Sequence, residues 1–279
     1  MKILIIVTDI ESDKAAIDFG GLLAVVTNAE TSLLHVAKDQ TEKAEGERIL
    51  SKAEDMLSDL SVSTNLCTGK LVSRSLTELR ANPHDLVVIG EGPRLPLAQG
   101  NRRQLAQALV NRSEASVVVA RRPRRELKRI LICTGGAQVS EQVIQAGAFL
   151  SKAAGAQATL LHVAGTIPSM YTGLNEIDES LTELLKTDTP TARHLRHSAA
   201  LLRQHGVTAQ LELRHGVVAS EINREATKGQ YDLIVIGLSE RHQRLKRWFM
   251  GNVTGAIVER APCPVLIVKG PLGDRTEQD

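Results

Sequence analysis

Short apolar runs alternate with longer amphipathic stretches along the whole chain. Residues 3–7 are all apolar, 13–28 carry helical spacing, and 32–36 return to an apolar run. Residues 41–58 predict a long helix, 61–68 a third strand and 73–81 another helix. A fourth run ends at Gly90, a helix is expected over 101–111, and 116–120 form a last strand. Apolar strands of about five residues separated by helices are the signature of parallel sheets buried on both faces.

The same series then recurs. Ile3-Leu4-Ile5 returns as Ile130-Leu131-Ile132, and Leu33-Leu34-His35-Val36-Ala37 returns as Leu160-Leu161-His162-Val163-Ala164. Asp85-Leu86-Val87-Val88-Ile89-Gly90 returns as Asp232-Leu233-Ile234-Val235-Ile236-Gly237. The order is kept, so the chain is a tandem duplication. The first two pairs lie 127 residues apart and the third 147 apart, which places an insertion near 165–190 of the second repeat. Its Leu181, Leu184 and Leu185 fit one helix face, suited either to a lid over the second repeat or to a partner surface. The repeats divide the chain at 1–123 and 124–279. Five strands per repeat predict an open doubly wound sheet, whose ligands sit at the carboxyl ends of the strands.

Composition narrows the classes. The 279 residues include 34 Lys+Arg and 32 Asp+Glu, a balance unlike that of a general nucleic-acid binder. No apolar run approaches the roughly 18–20 residues of a membrane span, and residues 1–9 do not read as a signal peptide. Three scattered cysteines, Cys67, Cys133 and Cys263, indicate neither a disulfide framework nor a Cys-x-x-Cys metal site, and point to a reducing cytoplasm. The join at 121–129 is rich in Arg and Lys. It fits a phosphate or nucleic-acid patch or a solvated connection, and the lack of aromatics favours the second.

With Asp232–Gly237, the loop to Gly251, and Ala261-Pro262-Cys263-Pro264-Val265-Leu266-Ile267-Val268, the chain resembles a tandem universal stress protein. The resemblance implies an α/β fold with two doubly wound five-stranded parallel sheets of order 3-2-1-4-5. It also implies an internal pseudo-dimer in which Val117–Val119 and Val265–Ile267 cover each other's edges.

One branch of that family binds ATP through a loop of the form Gly-x2-Gly-x9-Gly-Ser/Thr after strand four. Glycines let backbone N–H groups approach phosphate, and the next helix offers its positive end. The second repeat keeps Gly237, Ser239, Gly251 and Thr254, but Glu240 replaces the second glycine, Asn252 replaces the hydroxyl, and Gly251 falls one residue late. Arg241, Arg244, Lys246 and Arg247 offer charge against Glu240 or form a solvated face. Thr134-Gly135-Gly136 stands where the family has Asp-Gly-Ser at the end of strand one, with Val163 ending strand two. The first repeat keeps Asp9 and Val36, but its loop from Gly90 to Gly100 is short and Asn101 again replaces the hydroxyl. Both Gly-Asn dipeptides also suit helix N-caps, and every glycine here also suits a tight turn.

Other chemistry is thin. His194, His197 and His205 lack a dedicated metal-ligand spacing. His35 and His162 share one repeat position and suit either a ligand contact or a satisfied core histidine. Asp9 with Lys14 is a conceivable acid/base pair, and Cys263 suits a redox sensor or, more simply, a small residue starting a buried strand. The expectation is a cytoplasmic stress-response binding module. It takes an adenine nucleotide, ATP first, with the second repeat preferred; no catalytic residue is expected, and at most weak ATP hydrolysis. The alternative is a protein-interaction scaffold with both nucleotide sites degenerate. Monomer and homodimer both remain open.

Overall fold

The computed structural model describes residues 1–91, 96–123, 125–135, 139–164, 181–238 and 252–273, with 96–101, 139–140 and 252 described by backbone alone. The residues group into two compact units: Met1–Leu127 with the chain from Cys263 onward, and Lys128–Pro262.

The first unit runs β1 (Lys2–Ile6), α1 (Ile10–Thr27), β2 (Glu30–Ala37), α2 (Lys43–Asp55), β3 (Val62–Thr68), α3 (Leu71–Ala81), β4 (Leu86–Gly90), α4 (Pro96–Arg112) and β5 (Ser116–Ala120). The strands are parallel in the order β3-β2-β1-β4-β5. Their central residues, among them Ile3, Ile5, Leu33, Val87 and Val118, are fully or almost fully buried. The outer edge of β5 is closed by the chain's last strand, antiparallel, with Val265 opposite Val119 and Ile267 opposite Val117. The predicted pairing of these two runs is therefore present, and β5 presents no bare edge.

The second unit runs β6 (Arg129–Thr134), α5 (Val139–Ala154), β7 (Gln157–Ala164), α6 (Leu181–Lys186), α7 (Pro190–Gln204), β8 (Ala209–His215), α8 (Val218–Lys228), β9 (Leu233–Gly237) and α9 (Asn252–Arg260). Its four strands are parallel in the order β9-β6-β7-β8. The fifth strand of this repeat in sequence is β10 (Val265–Val268), which groups with the first unit through its ladder to β5.

The duplication is visible in packing detail. A Cβ on Gly20 of α1 would come within 2.8 Å of Ile5 Cγ1, and one on Gly147 of α5 within 2.6 Å of Ile132 Cγ1. Each helix lies so close to its first strand that a methyl there would have to displace the facing isoleucine side chain.

Three sequence expectations shift. Helix α4 starts at Pro96 rather than at 101, so Gly100 and Asn101 lie inside it and Asn101 is no N-cap. Proline suits a first helical position because its missing N–H would have no partner there. Part of the long helix expected from 41 is a separate 3-10 turn, Gln40–Glu42, capped by Asp39. The basic join is not wholly solvated either. Arg121 is buried and paired with Glu91 at 2.8 Å, and Leu127 is buried. Of the insertion, 165–180 lie outside the described residues, while Leu184 is buried on α6, which packs on α7.

Candidate functional site

In the first unit the chain leaves β1 toward β2 on one side and β4 toward β5 on the other. The switch point therefore lies at the carboxyl ends of β1 and β4. Thr8 and Asp9 follow β1, and Gly90 ends β4.

Asp9 is the N-cap of α1 and accepts the Ser12 N–H at 2.9 Å. That bond, aided by the charge of Arg102, holds its carboxyl below the usual range. Asp9 is thus committed to the helix end. Nothing brings it to Lys14, which pairs with Asp18 instead.

Asp13, one turn on, is only 1% exposed. Its Oδ2 accepts the Thr8 N–H at 2.7 Å, the Thr8 hydroxyl at 2.9 Å and the Asp9 N–H at 3.2 Å. Arg102 reaches down from α4. Its Nη1 donates to Asp13 Oδ1, and its Nη2 donates to Asp13 Oδ2 at 2.9 Å and to Thr8 Oγ1. A Cβ on Gly90 would collide with the Asp13 carboxylate and lie 3.1 Å from Arg102 Nη1. The gap between β1 and β4 is thus filled by the chain's own bidentate ion pair. Sequence reasoning missed both partners. The available signal was an arginine directly after the Gly100-Asn101 dipeptide. Val36 lies in β2, half-buried, opposite Cys67 of β3.

In the second unit the equivalent point lies at the ends of β6 and β9. Thr134 ends β6 and is buried, and its Oγ1 has no partner among the described residues. Gly237 ends β9, and Val163 is half-buried in β7 opposite Arg214. Asn252 begins α9, and Thr254 is half-buried on it. Ser239, Glu240, Gly251 and the basic residues 241–247 lie outside the described residues. The 127-residue offset turns Thr8, Asp9 and Asp13 into Gly135, Gly136 and Ser140. Aligning the Gly-Asn dipeptides turns Arg102 into Val253. At these aligned positions the second repeat carries no charged residue.

The repeated histidines do the same job twice. The Nδ1–H of His35 donates to the Val7 carbonyl at 2.9 Å, and that of His162 to the Thr134 carbonyl at 3.2 Å. Each ties strand two to the end of strand one, the role expected of a satisfied core histidine. His162 also meets His194 of α7, with ring centroids 5.6 Å apart. Burial lowers the pKa of both; His215 disfavours charge on His162, and His162 and His197 disfavour charge on His194. His197 faces Glu141 instead, at 3.4 Å, and His205 ends α7. Among the described residues no three His, Cys, Asp or Glu side chains are grouped to hold a metal. Among them, too, no helix is long and apolar enough to cross a membrane. Cys133 and Cys263 are buried.

The architecture has known relatives. The model of the universal stress protein family matches residues 126–269. Universal stress protein MJ0531 of Methanocaldococcus jannaschii is 31% identical over 144 residues, which cover 52% of this chain and 83% of that protein. Universal stress protein YxiE of Bacillus subtilis is 30% identical over 149 residues, covering 50% and 98%. Over nearly the whole chain the fold matches a universal stress protein from Archaeoglobus fulgidus, with a TM-score of 0.69 and 13% identity, covering 95% of this chain and 98% of that one. The family match spans just over half of the chain, and the parallel strand order β3-β2-β1-β4-β5 of the first unit is the one the resemblance implied: the chain belongs to the universal stress protein family.

Proposed function

We propose that this protein is a cytoplasmic stress-response module that binds one adenine nucleotide, ATP foremost, in its second unit. The observation that carries this reading is the asymmetry of the two switch points. Arg102 and Asp13 fill the first, while the sequence of the second repeat puts Gly135, Gly136, Ser140 and Val253 at the positions matching Thr8, Asp9, Asp13 and Arg102. A phosphate-binding strand end needs small residues, free donors and a helix start, and the glycines Gly135, Gly136 and Gly251 ahead of α5 and α9 support such a site in the second repeat. Thr134 contributes a buried hydroxyl with no partner among the described residues. Gly237, Ser239, Gly251, Asn252 and Thr254 would form the phosphate loop, and Val163 would flank the base. Asp9, Val36, Gly90, Gly100 and Asn101 mark the corresponding, closed site of the first repeat.

The experiment is to denature purified protein, separate the released small molecules and identify them by mass. Copurified adenine nucleotide, absent from a Gly251→Val variant, is the expected result. A protein that carries no nucleotide, and whose melting temperature ignores added ATP and magnesium, would refute the reading. The second reading, an interaction scaffold with both sites lost, draws on the plug in the first repeat and on Glu240 in the second. That outcome would select it.

A further inference from the structure

A cavity of about 470 Å³ opens in the first unit at the amino ends of its strands, opposite the switch point. It is lined by a row across the sheet, Leu4, Ser32 and Ser63, whose two serines are polar. Leu4 pairs with Ser32, and Ser32 pairs with Ser63, whose hydroxyl donates to Ser32 Oγ at 2.9 Å. Asn65 lies beside them, and Glu78 and His84 line the wall. The volume falls in the range of small-molecule sites.

The second repeat shows what this space holds when the chain fills it. By the repeat offsets, Lys2 becomes Arg129, Ser32 becomes Thr159, Glu78 becomes Glu225 and His84 becomes Tyr231. By strand register, Cys67 becomes Arg214. Tyr231 is 3% exposed there. Arg129 lies over the Tyr231 ring at 5.2 Å. Arg214 grips the buried Glu225 through Nη2 at 2.6 Å and Nε at 3.1 Å. A ring and a guanidinium thus stand at the positions that His84 and Cys67 hold in the first repeat.

The first repeat keeps the carboxylate and drops the cation. Glu78 accepts only the Asn82 side-chain amide, at 2.8 Å, and no Lys or Arg among the described residues reaches it as an ion pair. Lys2 is engaged with Glu30 at 3.4 Å. His84 donates its Nδ1–H to the Asn82 carbonyl at 2.7 Å, and it is too small to take the volume of Tyr231.

We propose that this cavity binds a small organic cation with a flat body, an amidine or guanidine, whose charged fork meets Glu78 and whose face takes the place of the Tyr231 ring. Planar forks match carboxylates, and in the second repeat Arg214 directs both Nη2 and Nε at Glu225 Oε2. This site is independent of the nucleotide reading, because it lies at the other end of the strands and in the other repeat.

The test is a titration of the full chain with benzamidine, which joins a ring to a planar cation, followed by amide NMR. Saturable shifts are expected at Ser32, Asn65 and His84. Neutral benzamide should produce none at the same concentration. Glu78→Gln should weaken benzamidine binding at least tenfold. The double variant Cys67→Arg, His84→Tyr builds the second repeat's filling into the first. It should abolish binding while keeping the dispersed spectrum of a folded chain. Absence of saturation, equal binding of benzamide, or undiminished binding in either folded variant would overturn the proposal.

Discussion

Arg102 holds both carboxylate oxygens of Asp13, and the two side chains, 89 residues apart, close the gap between β1 and β4. Asp13 is 1% and Arg102 11% exposed, so this pair is shielded from solvent. Breaking a buried pair from one side leaves an uncompensated charge, which costs about 3–5 kcal/mol. Arg102→Ala should therefore lower unfolding stability by that order, moderated by the three donors that Thr8 and Asp9 still give Asp13. Urea denaturation of the variant checks this. A loss below about 1 kcal/mol, the value of a surface pair, would show that the plug is not a buried lock.

Stability should fall as solutions become mildly acidic. His162, His194 and His84 have folded pKa values below the ordinary 6.5, each first of all because burial disfavours the charged ring. The folded protein holds them neutral, while the unfolded chain binds protons below about pH 6.5. Their contribution is complete above that pH and declines as pH falls through it toward the folded values. Asp9, whose folded pKa is lowered, adds a loss only at more acidic pH, below its ordinary 3.8. Urea midpoints should be lower at pH 5.5 than at 7.5, with a shallower slope for His194→Gln. A flat profile across that window would contradict the burial of these rings.

The close helix–strand approach in the second repeat is also measurable. A methyl at Gly147 would lie 2.6 Å from Ile132 Cγ1 and 3.3 Å from its Cγ2. Overpacking of this kind costs typically about 1–3 kcal/mol. Gly147→Ala should destabilise by that amount in thermal or urea unfolding, and Gly147→Ala with Ile132→Val should recover part of it. A neutral single variant would mean that helix and strand separate freely at this point.

Much of the fold is legible in the apolar runs because each strand is short, buried and bounded by polar residues. Ile3–Val7 and its copy at 130–133 needed no long-range information. The pairing of Val117–Val119 with Val265–Ile267 followed from the family resemblance. The plug was not legible, because the pairing of Asp13 with Arg102 depends on where α4 begins. The Gly100-Asn101 dipeptide looked like a helix cap, yet Pro96 opens the helix five residues earlier and carries Arg102 a full turn inside it. The role of His35 and His162 was half legible. Their shared position marked them, but only the carbonyls of Val7 and Thr134 show what they bind.

The central claim is one nucleotide per chain, held by the second repeat. Calorimetric titration of the full chain with ATP and magnesium tests it most directly. The account predicts saturation at one equivalent, at least tenfold weaker binding for Thr134→Val, and unchanged binding for a folded Asp9→Asn variant. No saturable heat, two equivalents per chain, or dependence on Asp9 rather than Thr134 would contradict it.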